Sequence, residues 1–139
     1  MLFGIYNASC DNMRPFPIVM TMPQPSEVIL HQKSNSLEIA WDDGVRYTLP
    51  AEYLRVFSPS AEVRGHGPGQ EVLQTGKRYV ALMDVEAAGS YALKLVFSDG
   101  HDSGLYDWDM LYKLGAHQDE LWQNYLDRLQ AAGASRDPS

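Results

Sequence analysis

Between residues 91 and 97, large apolar side chains alternate with other residues without a break: Tyr91, Leu93, Leu95 and Phe97 are separated by Ala92, Lys94 and Val96. A period of two places the two sets on opposite faces of an extended strand, one toward a core and one toward water. The same rhythm runs through Leu37, Ile39 and Trp41, with Glu38 and Ala40 between them. Both runs end in an Asp-Gly turn, Asp42-Asp43-Gly44 and Ser98-Asp99-Gly100, where glycine accepts the positive φ that a tight reversal needs. Such a chain must fold into hairpins. Val28–Leu30 and Val45–Leu49 supply strands to the first, Tyr79–Val85 and His101–Tyr106 to the second, and Ala87-Ala88-Gly89-Ser90 turns the chain before Tyr91.

Helices are expected elsewhere. Pro50–Arg55 reads as a short helical turn with proline at an early position, and Ser58 as the cap of another. Arg64–Gly76 holds four glycines and a proline and reads as a loop. Trp108, Leu111 and Tyr112 are spaced i, i+3, i+4, and Leu114-Gly115 is a stop signal. Leu121, Trp122, Tyr125, Leu126 and Leu129 then form an apolar stripe, with Asp119 and Glu120 in the first turn and Gly133 at the end. Strands followed by helices predict an α+β fold: a small, mainly antiparallel β-sheet domain in two layers with C-terminal helices. A chain of 139 residues, 45% hydrophobic, has room for one core, expected over 27–133. Residues 1–26 are expected to be a flexible tail or a mis-assigned start, with translation beginning at Met22, and 134–139 a frayed end. The apolar stretch Met1–Tyr6 is too short for a signal peptide and no base precedes it.

Eleven basic residues against eighteen acidic ones give a net charge of −7, which excludes general nucleic-acid binding. The charge is uneven. Arg55, Arg64, Lys77 and Arg78 outnumber Glu62 and Glu71 over 55–79, whereas 99–139 is acidic. A basic loop on an acidic body suits an anion or an acidic partner, and it equally suits a solvated surface. Cys10 is the sole cysteine, which rules out an internal disulfide and favours a reducing cytoplasm. No apolar run approaches the roughly 20 residues that span a bilayer.

Chemical motifs are sparse. Gly65-His66-Gly67-Pro68-Gly69-Gln70 lacks the Gly-Lys-Ser/Thr ending of a phosphate loop. His117-Gln118-Asp119 matches the start of an iron facial triad, but no histidine follows it, and helix capping accounts for these residues. The sequence has no Gly-x-Ser-x-Gly, and His31, His66, His101 and His117 show no close metal spacing. The richest cluster is Ser98–Trp108, with three carboxylates, one histidine and two aromatics about a turn. It fits a polar binding surface in which acids hold His101 protonated to higher pH, and it fits a β-turn followed by a helix capped by Asp107.

Three segments, Leu37–Gly44, Leu49–Arg55 and Phe97–Trp108, resemble in sequence and order the gamma-butyrobetaine hydroxylase N-terminal-like family across roughly 27–130. The resemblance implies a stand-alone bacterial member without an assigned activity. In the hydroxylases this domain precedes an iron- and 2-oxoglutarate-dependent catalytic domain and binds a structural zinc through Cys-x-Cys-x-x-Cys and a later histidine. The corresponding positions here are Ser58, Ser60, Val63 and His101, of which only His101 is a zinc ligand, so the zinc is not expected to carry over; the sequence holds no counterpart of the catalytic domain, so hydroxylase activity is not expected to carry over either. A similar domain is appended to plant chloroplast P-loop scaffolds of the Mrp type, which handle iron–sulfur clusters.

The leading expectation is a non-catalytic binding or adaptor domain, without cofactor, that is monomeric or weakly oligomeric and acts with a larger cytoplasmic protein, for which an Mrp-type scaffold is the candidate. Its candidate surface is Arg64, His66, Gln70, Asp99, His101, Asp102, Tyr106 and Trp108. The alternatives are an accessory factor in iron–sulfur assembly or metal handling, and a small enzyme using His101, Asp99 and Tyr106.

Overall fold

The computed structural model describes residues 23–64 and 72–138. The readings made for Met1–Met22, including Cys10, and for His66 and Gln70 lie outside those residues. Two three-stranded antiparallel sheets carry the fold, in the orders β1-β2-β3 and β4-β5-β6. The first comprises β1 (Pro25–His31), β2 (Ser36–Trp41) and β3 (Arg46–Pro50). The second comprises β4 (Leu82–Ala88), β5 (Ala92–Phe97) and β6 (Leu105–Asp107). Helices α1 (Ala51–Val56) and α2 (Ala61–Arg64) lie between the sheets in sequence, and α3 (Trp108–Ala116) and α4 (Gln118–Ala131) follow them. This is the α+β arrangement expected.

Alternation decides which faces are buried. Leu37 and Ile39 of β2 stand opposite Leu49 and Tyr47 of β3, and Leu95 and Leu93 of β5 stand opposite Val85 and Ala87 of β4. Leu37, Ile39, Leu49, Leu82, Leu95 and Phe97 are each at most 2% exposed and belong to one core, which α1 and α3 complete with Tyr53, Leu54, Leu111 and Leu114. Both Asp-Gly turns form, with Gly44 at φ +94° and Gly100 at φ +86°. Asn35 joins the sheets. Held at φ +54° in the turn before β2, it donates Nδ2–H to the Val80 carbonyl and accepts at Oδ1 from the Leu82 amide, both at 2.9 Å.

Four expectations change. The strand after residue 79 starts only at Leu82, because Lys77–Val80 forms a turn that leaves Tyr79 73% exposed. The last strand shrinks to Leu105–Asp107, since His101–Gly104 packs as a loop against Ser58. Ser58 does not cap α2. Its Oγ accepts from the Ser60 amide, and the Val63 and Arg64 amides bond the Ser60 carbonyl. The stop falls one residue later than Leu114-Gly115: α3 runs through Gly115 to Ala116, and the missing side chain admits the Tyr47 ring. Asp107 does cap α3, accepting from the Met110 amide at 2.8 Å.

The end of the chain docks rather than frays. The Gly76 and Arg78 amides bond the Ser135 and Arg136 carbonyls, and β1 begins at Pro25, inside the expected tail. Arg136 grips Glu52 through two bonds of 2.8 and 2.6 Å and lies over the Trp122 ring at 5.1 Å. Arg136→Leu is therefore expected to cost about 1–2 kcal/mol in urea unfolding. A carboxylate left buried would cost more, but the freed tail lets water reach Glu52.

Candidate functional site

The polar residues after α1 and those of the β5–β6 loop meet in a seam. Ser58 Oγ shares a 2.8 Å hydrogen bond with His101 Nε2, and Ser60 Oγ one of 2.8 Å with Ser103 Oγ. Ser58, Ser60 and His101 are all buried. Below them Arg55, whose side chain is 7% exposed, donates Nε–H to Asp99 at 2.9 Å and Nη1–H to Gln74 at 3.1 Å. Lys77 reaches the same Asp99 oxygen at 3.0 Å, and the other oxygen accepts from the His101 amide. Burial alone would raise the Asp99 carboxyl; the bonds from Lys77, Arg55 and the His101 amide outweigh it and hold the group at about 2.

Gly104 makes the seam possible. A Cβ there would lie 2.5 Å from Ser58 Oγ and 3.1 Å from Pro59 Cδ. Gly104→Ala is expected to cost about 1–2 kcal/mol by pushing Ser58 off His101. The loss should shrink in a Ser58→Ala background, where the clashing oxygen is gone; urea unfolding of the four-member cycle checks this.

The seam also contains the positions where the resemblance places zinc. The structure brings Ser58, Ser60 and His101 together, with Val63 following them in α2, but the donor set does not suit the metal. Two neutral hydroxyls already engaged in hydrogen bonds are poor zinc ligands, and a buried valine is none. Among the described residues no group of three His, Cys, Asp or Glu side chains could hold a metal ion.

The described members of the proposed surface do not share one face. Asp99 and His101 belong to the seam. Tyr106 is 0% exposed and donates its hydroxyl to the Leu54 carbonyl at 2.6 Å; burial pushes its phenol well above the usual tyrosine range. Trp108 donates Nε1–H to the Ser90 carbonyl and lines a separate groove of about 530 Å³ between β1 and β4. Asp102 is exposed. Among the described members of that set, Arg64 alone lines the cleft that the seam helps to wall.

That cleft, of about 280 Å³, lies between the end of α1, α2, the 72–74 segment and the two C-terminal helices. Ser58 and Gln74 reach it from the seam side, and Val56, Phe57, Leu73, Leu114 and Tyr125 give it an apolar lining. Arg64 and Arg128 complete it, and both side chains are exposed. Sequence reasoning missed Arg128 because it sits one turn after Tyr125 in a helix read only for its apolar stripe. The seam's Arg55 and Gln74 were missed because nothing local marks their partners. No helix among the described residues is long and apolar enough to cross a membrane.

Comparison with known proteins gives consistent relatives. The family model described as gamma-butyrobetaine hydroxylase-like, N-terminal, matches residues 28–112. A protein whose solution structure was determined by NMR is 55% identical, with 86% of this chain and 94% of the other covered and a TM-score of 0.75. A second NMR structure is 50% identical over 88% and 92%, with a TM-score of 0.74. A crystal structure from Acidithiobacillus ferrooxidans, of a protein of unknown function in the DUF971 family, is 36% identical over 67% and 93%, with a TM-score of 0.57. No curated protein matches the chain.

Proposed function

Because the chain belongs to the gamma-butyrobetaine hydroxylase-like N-terminal family, we propose that it is a non-catalytic binding domain serving a larger cytoplasmic protein. The observation that carries this reading is how the reactive side chains are used. Asp99 is committed to Arg55 and Lys77, Tyr106 to a backbone carbonyl, and His101 Nε2 to Ser58. Ser58, His101 and Tyr106 are all more than nine-tenths buried and Asp99 is paired with two cations, so these groups serve the packing of the fold rather than proton transfer to a ligand. The open surfaces are instead the apolar cleft beside Arg64 and the groove between the edge strands. Both are the concave, mainly apolar kind that takes ligands and partner side chains.

The first partner to test is the Mrp-type scaffold of the same cell, with which the domain would act as an accessory to iron–sulfur assembly. Equimolar mixtures should run as a complex in native mass spectrometry, and mild crosslinking in the native host should recover the domain bound to a larger protein. A domain that stays monomeric in both experiments contradicts the proposal. Cluster transfer that is unaltered by the domain, despite binding, would remove the iron–sulfur role and leave the adaptor role.

A further inference from the structure

The cleft between α1 and the C-terminal helices combines an apolar lining with two cations that lack a counter-charge among the described residues. Most cations of this acidic chain are matched. Arg46 pairs with Glu27 and Glu38, Arg55 and Lys77 with Asp99, Arg78 with Asp137, Lys113 with Asp109, and Arg136 with Glu52. Arg64 and Arg128 have no carboxylate partner among the described residues. Among the described residues the Arg64 guanidinium makes a hydrogen-bond contact with Met110 Sδ, at 3.7 Å. Lys33 and Lys94 are likewise unpaired, but neither lines the cleft. In a molecule of net charge −7, two unmatched arginines bordering a single apolar depression make a local site for negative charge. A guanidinium fork suits a carboxylate, and the lining excludes a ligand that is polar throughout. The volume of about 280 Å³ lies at the small end for ligand sites and admits a short chain or one ring.

We propose that this cleft binds a small organic acid, with its apolar body against Phe57, Leu73, Leu114 and Tyr125 and its carboxylate at Arg64 and Arg128. The proposal rests on the reading of the chain as a binding domain and adds a ligand class to it.

Octanoate is the probe, and 1-octanol its uncharged counterpart. Titrated into the full ¹⁵N-labelled chain, octanoate should give saturable shifts at the Val63, Leu73, Leu114 and Tyr125 amides, with octanol at least about fivefold weaker. The double variant Arg64→Gln, Arg128→Gln should bind octanoate about tenfold more weakly and octanol as before. Both side chains are exposed, so its remaining spectrum should match that of the parent. Absence of saturable shifts, equal affinity for acid and alcohol, an unaffected double variant, or shifts confined to the β1–β4 groove would each overturn the assignment. Those outcomes are separable from failure of the adaptor reading, which shows as absence of a protein complex whether or not octanoate binds.

Discussion

Asp99→Ala should lower the unfolding free energy by about 3 kcal/mol. The change leaves the Arg55 guanidinium, 7% exposed, with Gln74 as its remaining side-chain partner. Removing one member of a buried ion pair costs roughly 3–5 kcal/mol because the other charge stays desolvated. The lower end applies because the Asp99 side chain is 23% exposed and Lys77 can swing to water. Urea unfolding at neutral pH reads the loss, and the same series over pH tests its cause. Asp99 is held at about 2, below the ordinary 3.8, so its contribution is full above the unfolded value and declines as pH falls from about 4 to about 2. The gap between the parent and Asp99→Asn should therefore narrow over that window. A gap that is constant with pH would show that packing, rather than charge, makes the difference.

Gly115→Ala should cost about 2 kcal/mol, although alanine is the better helix former by about 1 kcal/mol. An added Cβ would stand 2.3 Å from Tyr47 Cδ2, 2.4 Å from its Cγ and 2.8 Å from its Cβ. These atoms lie at the root of the side chain, so the ring cannot turn away without moving β3. Tyr47 also meets the Tyr112 ring edge-on at 5.7 Å, and Tyr112 meets Trp41 at 5.1 Å. Displacement therefore spreads through three aromatics, and overpacking of this kind costs about 1–3 kcal/mol or more. In a Tyr47→Gly background, which removes all three of these atoms, the substitution should become neutral or stabilising. Greater stability for Gly115→Ala alone would mean that the helix and strand are not in such close contact.

Those two sites mark the boundary of what the sequence could reveal. The alternation in β2 and β5, both Asp-Gly turns and the Asp107 cap are local patterns, and local patterns are legible because their physics acts within a few residues. Gly115 carries the same local signature as a helix stop, and only its distant partner Tyr47 shows that close approach is its role. The docked C-terminus depends likewise on Arg136 finding Glu52, a contact that composition could not suggest for a short polar tail. The site divides in the same way. The two loops around Ser58 and His101 do converge, but burial turns their polar side chains inward. The open cleft borrows Arg128 from a helix whose pattern advertised only packing.

The family resemblance placed four positions, Ser58, Ser60, Val63 and His101, at a metal site, and the structure joins Ser58 to His101 by a hydrogen bond. The account stands on that seam holding the fold without a metal. Metal content of protein purified from its own cell without chelator, together with thermal unfolding before and after EDTA, tests it most directly. Zinc and iron far below stoichiometric, with an unchanged melting temperature, are the predicted result. A stoichiometric zinc or iron whose removal lowers the melting temperature would contradict it.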